Sequence, residues 1–502
     1  MVIQSGAPAP TSSVGRHSYL WLGLILVVGA ALRFREAWLT PLWFDEIFTL
    51  WMTRSPFGVM LQRLASDIHP PLMSSLLWTW RRIGGEHVMW LKTLPIAIGL
   101  ATVVALYHAA RDWFGERVAL VAAALLALHG MHVYFSQELR SYSLLILAVL
   151  LMTWTAWRWI EHGRTRDGLF YVASAALGLY THYLSGVVIA LLALWGALLL
   201  REQPRRLLHW IGWHLAVTAV FAPQLPTFFH QLSLSTDHWM KKPTVEDLEN
   251  LARKVAFSAR YMVPVVALIA LLPLVRRGPR RTAAMVWWVM VAPAIAAFTL
   301  TYEGYANLFV ERYMYFVVPL FCTLIAAGLV GTHYRRLALV ATTLMVAFAA
   351  RQSLLKRPYI EAVTLDGIVR SFAPSIRPGD VVFCADSHSL FVVENLKPAA
   401  DARLVMTWPR LPYYEGAAFI PDSMRTTLAE LERAANTGRR WWGLRTRHGG
   451  LSSAVGAAAM DSLARGGSRD EEMITLWAGQ PGMLSGLQDR RSAPPADSTS
   501  AR

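Results

Sequence analysis

The chain has 502 residues, of which 55% are hydrophobic and 16% charged, and its formal net charge is +15 at pH 7. Soluble domains carry about 25% charged residues, so this charge content, with apolar runs of about 20 residues recurring along the chain, excludes a soluble globular protein and describes a polytopic membrane protein. The positive balance does not call for a nucleic-acid partner, because Arg in short loops is the expected topological signal and suits anionic head groups. With only Cys322 and Cys384, the first inside an expected span and the second in an expected soluble region, neither a disulfide nor a cysteine metal cluster is expected.

In chain order, residues 1–17 read as a cytoplasmic tail rich in Ser and Pro. The apolar run 18–32 is followed by Arg33-Phe34-Arg35 rather than by a small-residue cleavage site, so it is expected to be a retained anchor. A long first outer loop, 33–89, opens with Trp43-Phe44-Asp45-Glu46. Two adjacent carboxylates beside aromatic rings at the mouth of a span are costly unless paired or used. Glu36, between Arg35 and the rest of this loop, is accounted for by surface pairing with Arg33 and Arg35. Later in the loop stands Asp67-Ile68-His69-Pro70-Pro71-Leu72, where Pro-Pro forces an extended backbone before it and starts a helix after it. Residues 61–65 and 72–80 are expected as short interfacial helices.

Further spans are expected at 90–110, 117–135, 141–160, 168–183, 185–200, 208–229, 261–275, 283–301, 313–331 and 335–350, about eleven with the first. With the N-terminus cytoplasmic, alternate short loops carry Arg111 and Arg117, then Arg158, Arg164 and Arg166, then Arg201, Arg205 and Arg206, then Arg276 to Arg281, then Arg335 and Arg336. The short outer connections carry little beyond Arg140 and Arg312, which agrees with the positive-inside rule; the long first loop is itself basic, with Arg54, Arg63, Arg81 and Arg82, but long loops are poor voters. The expected fold is therefore an all-α polytopic membrane protein with an extracytoplasmic α/β domain at 351–484 and a disordered tail at 485–502. In that domain Arg377-Pro378-Gly379-Asp380 reads as a turn before a strand at 381–384, and 423–436 has helical spacing.

This topology gathers four further groups on the face that carries Asp45, Glu46, Asp67 and His69. Tyr134-Phe135-Ser136-Gln137-Glu138-Leu139-Arg140-Ser141-Tyr142 joins two spans, and its Glu138 and Arg140 are close enough to pair with each other or to meet a phosphate. Tyr180-Thr181-His182-Tyr183 ends a span, where a lone His in an aromatic belt is also a common interface anchor. Glu311-Arg312-Tyr313 begins another, where Arg312 could simply snorkel. Acids, His and two Arg on one face suit a reaction on an anionic lipid head group. The spans show few charges at mid-depth, Lys92 and Glu303 lying near expected ends, which argues against a pump or ion-coupled carrier.

The order of these motifs, Trp-Phe-Asp-Glu after the first span, His-Pro-Pro-Leu in the same loop, Ser-Gln-Glu-x-Arg-x-Tyr in the second outer loop and Arg-Tyr before a late Pro319, resembles the polyprenyl-phosphate-sugar glycosyltransferases. These have the GT-C membrane fold and include the protein O-mannosyltransferases and the lipid A aminoarabinose transferase. The likeness covers residues 18–350. It implies a hexosyl- or pentosyltransferase of the cell (inner) membrane that moves a sugar from undecaprenyl or decaprenyl phosphate to an acceptor hydroxyl on a lipid, glycan or protein, with inversion. It implies Asp45 as general base, with Glu46 beside it as a second catalytic or positioning group. The same resemblance makes Arg140 and Arg312 the phosphate ligands, with Asp67, His69, Glu138, Tyr142, His182 and Tyr313 lining the substrate. In the aminoarabinose transferase a Glu and a Lys precede Pro-Pro, whereas Ile68 and His69 stand here, so no essential metal is expected. The alternatives are a flippase or transporter of lipid-linked sugars, a polymerase or ligase using a diphosphate-linked glycan, and a receptor or scaffold in which Asp45 and Glu46 would be replaceable.

Overall fold

The computed structural model describes residues 16–35, 37, 42–234, 242–276, 278–331 and 334–355, and beyond them 374, 376–384, 390, 393, 403–406, 424, 441–445, 461–467 and 473–479. The tail before residue 16, Glu36, the tail from 485 and all but residue 424 of the helix expected at 423–436 lie outside the described residues. The chain divides into two compact units, Met1–Trp38 with Ile68–Pro358, and Leu39–Asp67 with Tyr359–Arg502.

Helix α1 (Arg16–Phe34) opens the first unit, while α2 (Phe44–Met52) and α3 (Phe57–Leu64) belong to the second. The first unit resumes with α4 (Leu72–Gly84), α5 (Val88–Phe114), α6 (Glu116–Ala127), α7 (Gly130–Phe135), α8 (Tyr142–His162) and α9 (Thr165–Thr181). It continues through α10 (Leu184–Leu200), α11 (Pro204–Phe221), α12 (Leu225–Leu234), α13 (Val245–Val255), α14 (Met262–Val275) and α15 (Arg280–Tyr302), and ends with α16 (Val317–Val330) and α17 (Arg335–Leu355). Every expected span coincides with one of these helices or with a pair of them. Among the described residues six helical stretches are long and apolar enough to cross a membrane, and α10 and α14 are shorter apolar helices.

Two expected spans are interrupted, for local reasons. The 117–135 run stops at Ala127 and restarts at Gly130, because His129 takes an extended backbone and its buried ring lies 3.0 Å from the carbonyl oxygen of Val255. The 208–229 run tightens into a 3-10 turn at Ala222–Gln224, where Pro223 lacks the N–H an α-helix needs.

The Glu311–Val330 stretch is the centre of the bundle, its apolar window 94% buried, whereas those of α1 and α17 are 17% buried. Accordingly α16 packs on α6 and α14, α8 on α9, and α5 on α6 and α8. At the ends of α5 and α8 and the start of α9, Arg158 Nε donates to Asp167 Oδ1 at 2.9 Å and its Nη1 to Asp112 Oδ2 at 3.0 Å. The Trp154 indole donates to the same Asp112 oxygen at 2.9 Å. This charge-assisted lock ties three helices at one end and leaves their opposite ends to build a site.

In the second unit five strands, β1 (Val381–Cys384), β2 (Arg403–Met406), β3 (Trp441–Arg445), β4 (Asp461–Gly467) and β5 (Met473–Gly479), form one sheet in the order β2-β1-β3-β5-β4. β1 is parallel to β2 and β3, and β5 is antiparallel to β3 and β4. The expected strand at 381–384 is β1, and its Val382 and Cys384 are fully buried. Before it, Asp380 Oδ2 accepts from the Arg377 N–H at 2.8 Å, and Gly379 takes the positive φ of 84° that the turn requires.

At the contact of α14 with α16, a Cβ on Gly328 would lie 2.1 Å from the Ile269 carbonyl oxygen. Overpacking of this kind costs about 1–3 kcal/mol. Gly328→Ala is therefore expected to lower the unfolding midpoint of the detergent-solubilised protein clearly, whereas Gly23→Ala, whose Cβ would meet nothing within 4 Å, should leave it unchanged.

Candidate functional site

In the first unit, the start of α4, the start of α8, the end of α9 and a short 3-10 helix, Glu311–Phe316, converge. Pro71 caps α4 and sets the chain just before it, where His69 sits. Arg140 Nη2 lies 3.0 Å from His69 Nε2, and since a guanidinium only donates, the ring nitrogen accepts. Arg140 and Glu138 are both buried on the connection that leads into α8. Tyr142, the first residue of α8, is buried with its ring 6.1 Å from that of Tyr313. Tyr313 stands edge-on to His182 with ring centroids 4.3 Å apart, and the Arg312 guanidinium lies 5.8 Å from the centre of the Tyr313 ring.

His182 follows the last residue of α9 in an extended conformation, 7% exposed. Its Nδ1 accepts from the Leu184 N–H at 3.2 Å, which puts the proton of the neutral ring on Nε2. The arrangement is a buried, cationic and aromatic cluster, suited to an anion bearing an apolar or sugar substituent.

The structure thus brings His69, Arg140, Tyr142, His182, Arg312 and Tyr313 together, with Glu138 on the same connection as Arg140. Asp45, Glu46 and Asp67 lie in the second unit. Asp45 and Glu46 occupy the first turn of α2, where carboxylates are favoured by the helix dipole. Glu46 is 2% exposed, and its Oε2 accepts from the Trp43 N–H at 3.3 Å, closing the turn. Asp45 is partly exposed, and its main-chain carbonyl accepts from Thr49 Oγ1 at 2.7 Å. Asp67 is buried just beyond α3.

Two supporting groups escaped the sequence reading. Gln231 of α12 is buried, donates to the His69 carbonyl at 3.4 Å and accepts from the Tyr183 hydroxyl. Lys254 of α13 lies 2.7 Å from Glu311 Oε1 and 2.9 Å from its Oε2, and Tyr315 donates to the same carboxylate. Glu311, adjacent to Arg312, is thereby held by Lys254 and Tyr315. Nothing in the spacing marks Gln231 or Lys254, since their partners lie on remote segments. Among the described residues no three His, Cys, Asp or Glu side chains gather in a way that would hold a metal ion.

Residues 68–230 match the family model described as dolichyl-phosphate-mannose-protein mannosyltransferase. This segment contains His69, Glu138, Arg140, Tyr142 and His182. No curated protein sequence matches the chain. Among solved structures, ArnT from Cupriavidus metallidurans in the apo state shares the fold with a TM-score of 0.65 and 15% identity over 96% of this chain and 100% of that one. ArnT from the same organism bound to undecaprenyl phosphate gives 0.61 and 14% identity over 92% and 99%.

Proposed function

We propose that this chain, a membrane glycosyltransferase of the GT-C class, transfers a sugar from undecaprenyl or decaprenyl phosphate to an acceptor hydroxyl at the extracytoplasmic face, with inversion. The observation that carries this reading is the convergence of Arg140 and Arg312 with His69 and His182 at one end of the bundle. That ArnT of the same fold binds undecaprenyl phosphate supports the donor class. About eleven spans in the inner membrane and an outer α/β domain at 351–484 belong to the same reading.

The acceptor oxygen attacks the anomeric carbon as the bond from that carbon to the phosphate oxygen breaks. The lipid phosphate leaves with the bonding electrons and is stabilised by Arg140 and Arg312. Glu138 orients Arg140, and the Tyr142 and Tyr313 rings offer apolar faces to the sugar or the first isoprene. The acceptor proton goes to Asp45. A phosphate is already a good leaving group and two guanidinium groups supply the counter-charge, so this chemistry needs neither a second acid nor a metal. Asp67 and His69 line the substrate in this reading.

Purified protein given a panel of polyprenyl-phosphate sugars is expected to form a glycosidic bond with one of them, and to do so equally in EDTA. Sugar crossing a vesicle membrane with no such bond formed would favour the flippase reading instead. Asp45→Asn should lower kcat by about 10²–10⁴-fold while leaving membrane insertion and donor binding intact; near-normal turnover would refute its role as base. Arg140→Ala and Arg312→Ala should each raise the donor KM by about 10–100-fold, the cost of losing a charged hydrogen bond.

A further inference from the structure

We infer that Arg33, near the end of α1, is a positioning residue for the donor phosphate: it fixes the connection between α7 and α8 that presents Arg140. This rests on the phosphate role given to Arg140 above. Arg33 is fully buried although the sequence sets it at the mouth of the first span. Its Nη1 donates to the carbonyl oxygens of Gly29 at 2.9 Å and of Ala127, the last residue of α6, at 3.2 Å. Its Nη2 lies 2.6 Å from His132 Nδ1 on α7, and the imidazole accepts. The main-chain carbonyl of Arg33 accepts from Gln137 Nε2 at 2.8 Å, and Ser136 Oγ donates to the His132 carbonyl at 2.5 Å. Ser136 and Gln137, consecutive residues of the connection, are thus tied to Arg33 through His132 and directly, and Arg140 follows three positions on.

The neighbouring helix is cut away to admit this network. A Cβ on Gly99 of α5 would lie 2.2 Å from Ser136 Oγ and 3.2 Å from Arg33 Nε. Packing α1 on α6 does not require a guanidinium, and an apolar side chain of similar volume would avoid its desolvation cost. What an apolar side chain could not do is hold α6, α7 and the connection to α8 by directed hydrogen bonds at once.

The test uses the full chain in lipid nanodiscs, undecaprenyl phosphate as the probe, and amide hydrogen exchange over 136–141 as a second readout. Arg33→Met is expected to weaken binding about tenfold, the scale of one lost buried hydrogen bond, and to speed exchange over 136–141, with Arg33→Lys recovering part of both. Combined with Arg140→Ala, Arg33→Met should add less than about twofold, because residues acting through one another are not additive. Gly99→Ala, which displaces Ser136 with Arg33 in place, should shift binding and exchange in the same direction, and it decides the matter if the Arg33 variants do not fold. Unchanged exchange over 136–141, or full additivity with Arg140→Ala, overturns the role of Arg33. Failure of the unaltered protein to bind undecaprenyl phosphate overturns the functional reading instead, and exchange over 136–141 still tells whether Arg33 holds the connection.

Discussion

A guanidinium cannot shed its charge inside a protein and cannot be left unpaired in hydrocarbon, so each buried Arg dictates what surrounds it. This bundle meets that constraint in different ways at its two ends. At the junction of α5, α8 and α9, Arg158 is set between Asp112 and Asp167, and the charges compensate one another within the fold. At the opposite end of α8, Arg140 meets the ring nitrogen of His69, close to His182, Arg312 and the Tyr313 ring. The first arrangement is a lock. The second gathers two guanidinium groups beside imidazole and phenol rings, and in the function proposed above it supplies the preorganisation that stabilises charge on a departing phosphate.

Rigidity at the second end comes from side chains that never need to touch a substrate. Lys254 and Tyr315 hold Glu311 and with it the 3-10 turn that carries Arg312 and Tyr313. Gln231 bridges the Tyr183 hydroxyl and the His69 carbonyl. Arg33, His132 and Gln137 brace the connection that carries Arg140. His69, Arg140 and Arg312 therefore each have their own support, and each support is delivered by a different helix.

Much of the fold was legible in the sequence because hydrocarbon imposes a simple rule. Every backbone polar group must be satisfied within its own segment, so apolar runs of about 20 residues are helices. The strand at 381–384 was legible for a similarly local reason, since Pro378 and Gly379 fix the turn ahead of it. The breaks at 128–129 and 222–224 are less visible. The first depends on His129 reaching the Val255 carbonyl, and the second on Pro223, whose effect on an apolar run varies with what surrounds it.

The residues of the cationic cluster could be named from the sequence because each sits beside a recognisable punctuation, namely Pro-Pro, a loop between spans, or the start or end of a span. Their chemical type follows from local composition, and the membrane face expected for them from the alternation of Arg between loops. What tertiary structure alone decided is who meets whom. Arg33 reads in sequence as a surface charge paired with Glu36, yet it is buried against His132, 99 positions away. Arg140 lies two positions from Glu138, and its Nη2 meets His69, 71 positions earlier. Local sequence fixes helix and hydropathy because those depend on neighbours within a few turns. Charge partners in a bundle are set by which helix ends come to lie side by side, and that is a property of the packed fold alone.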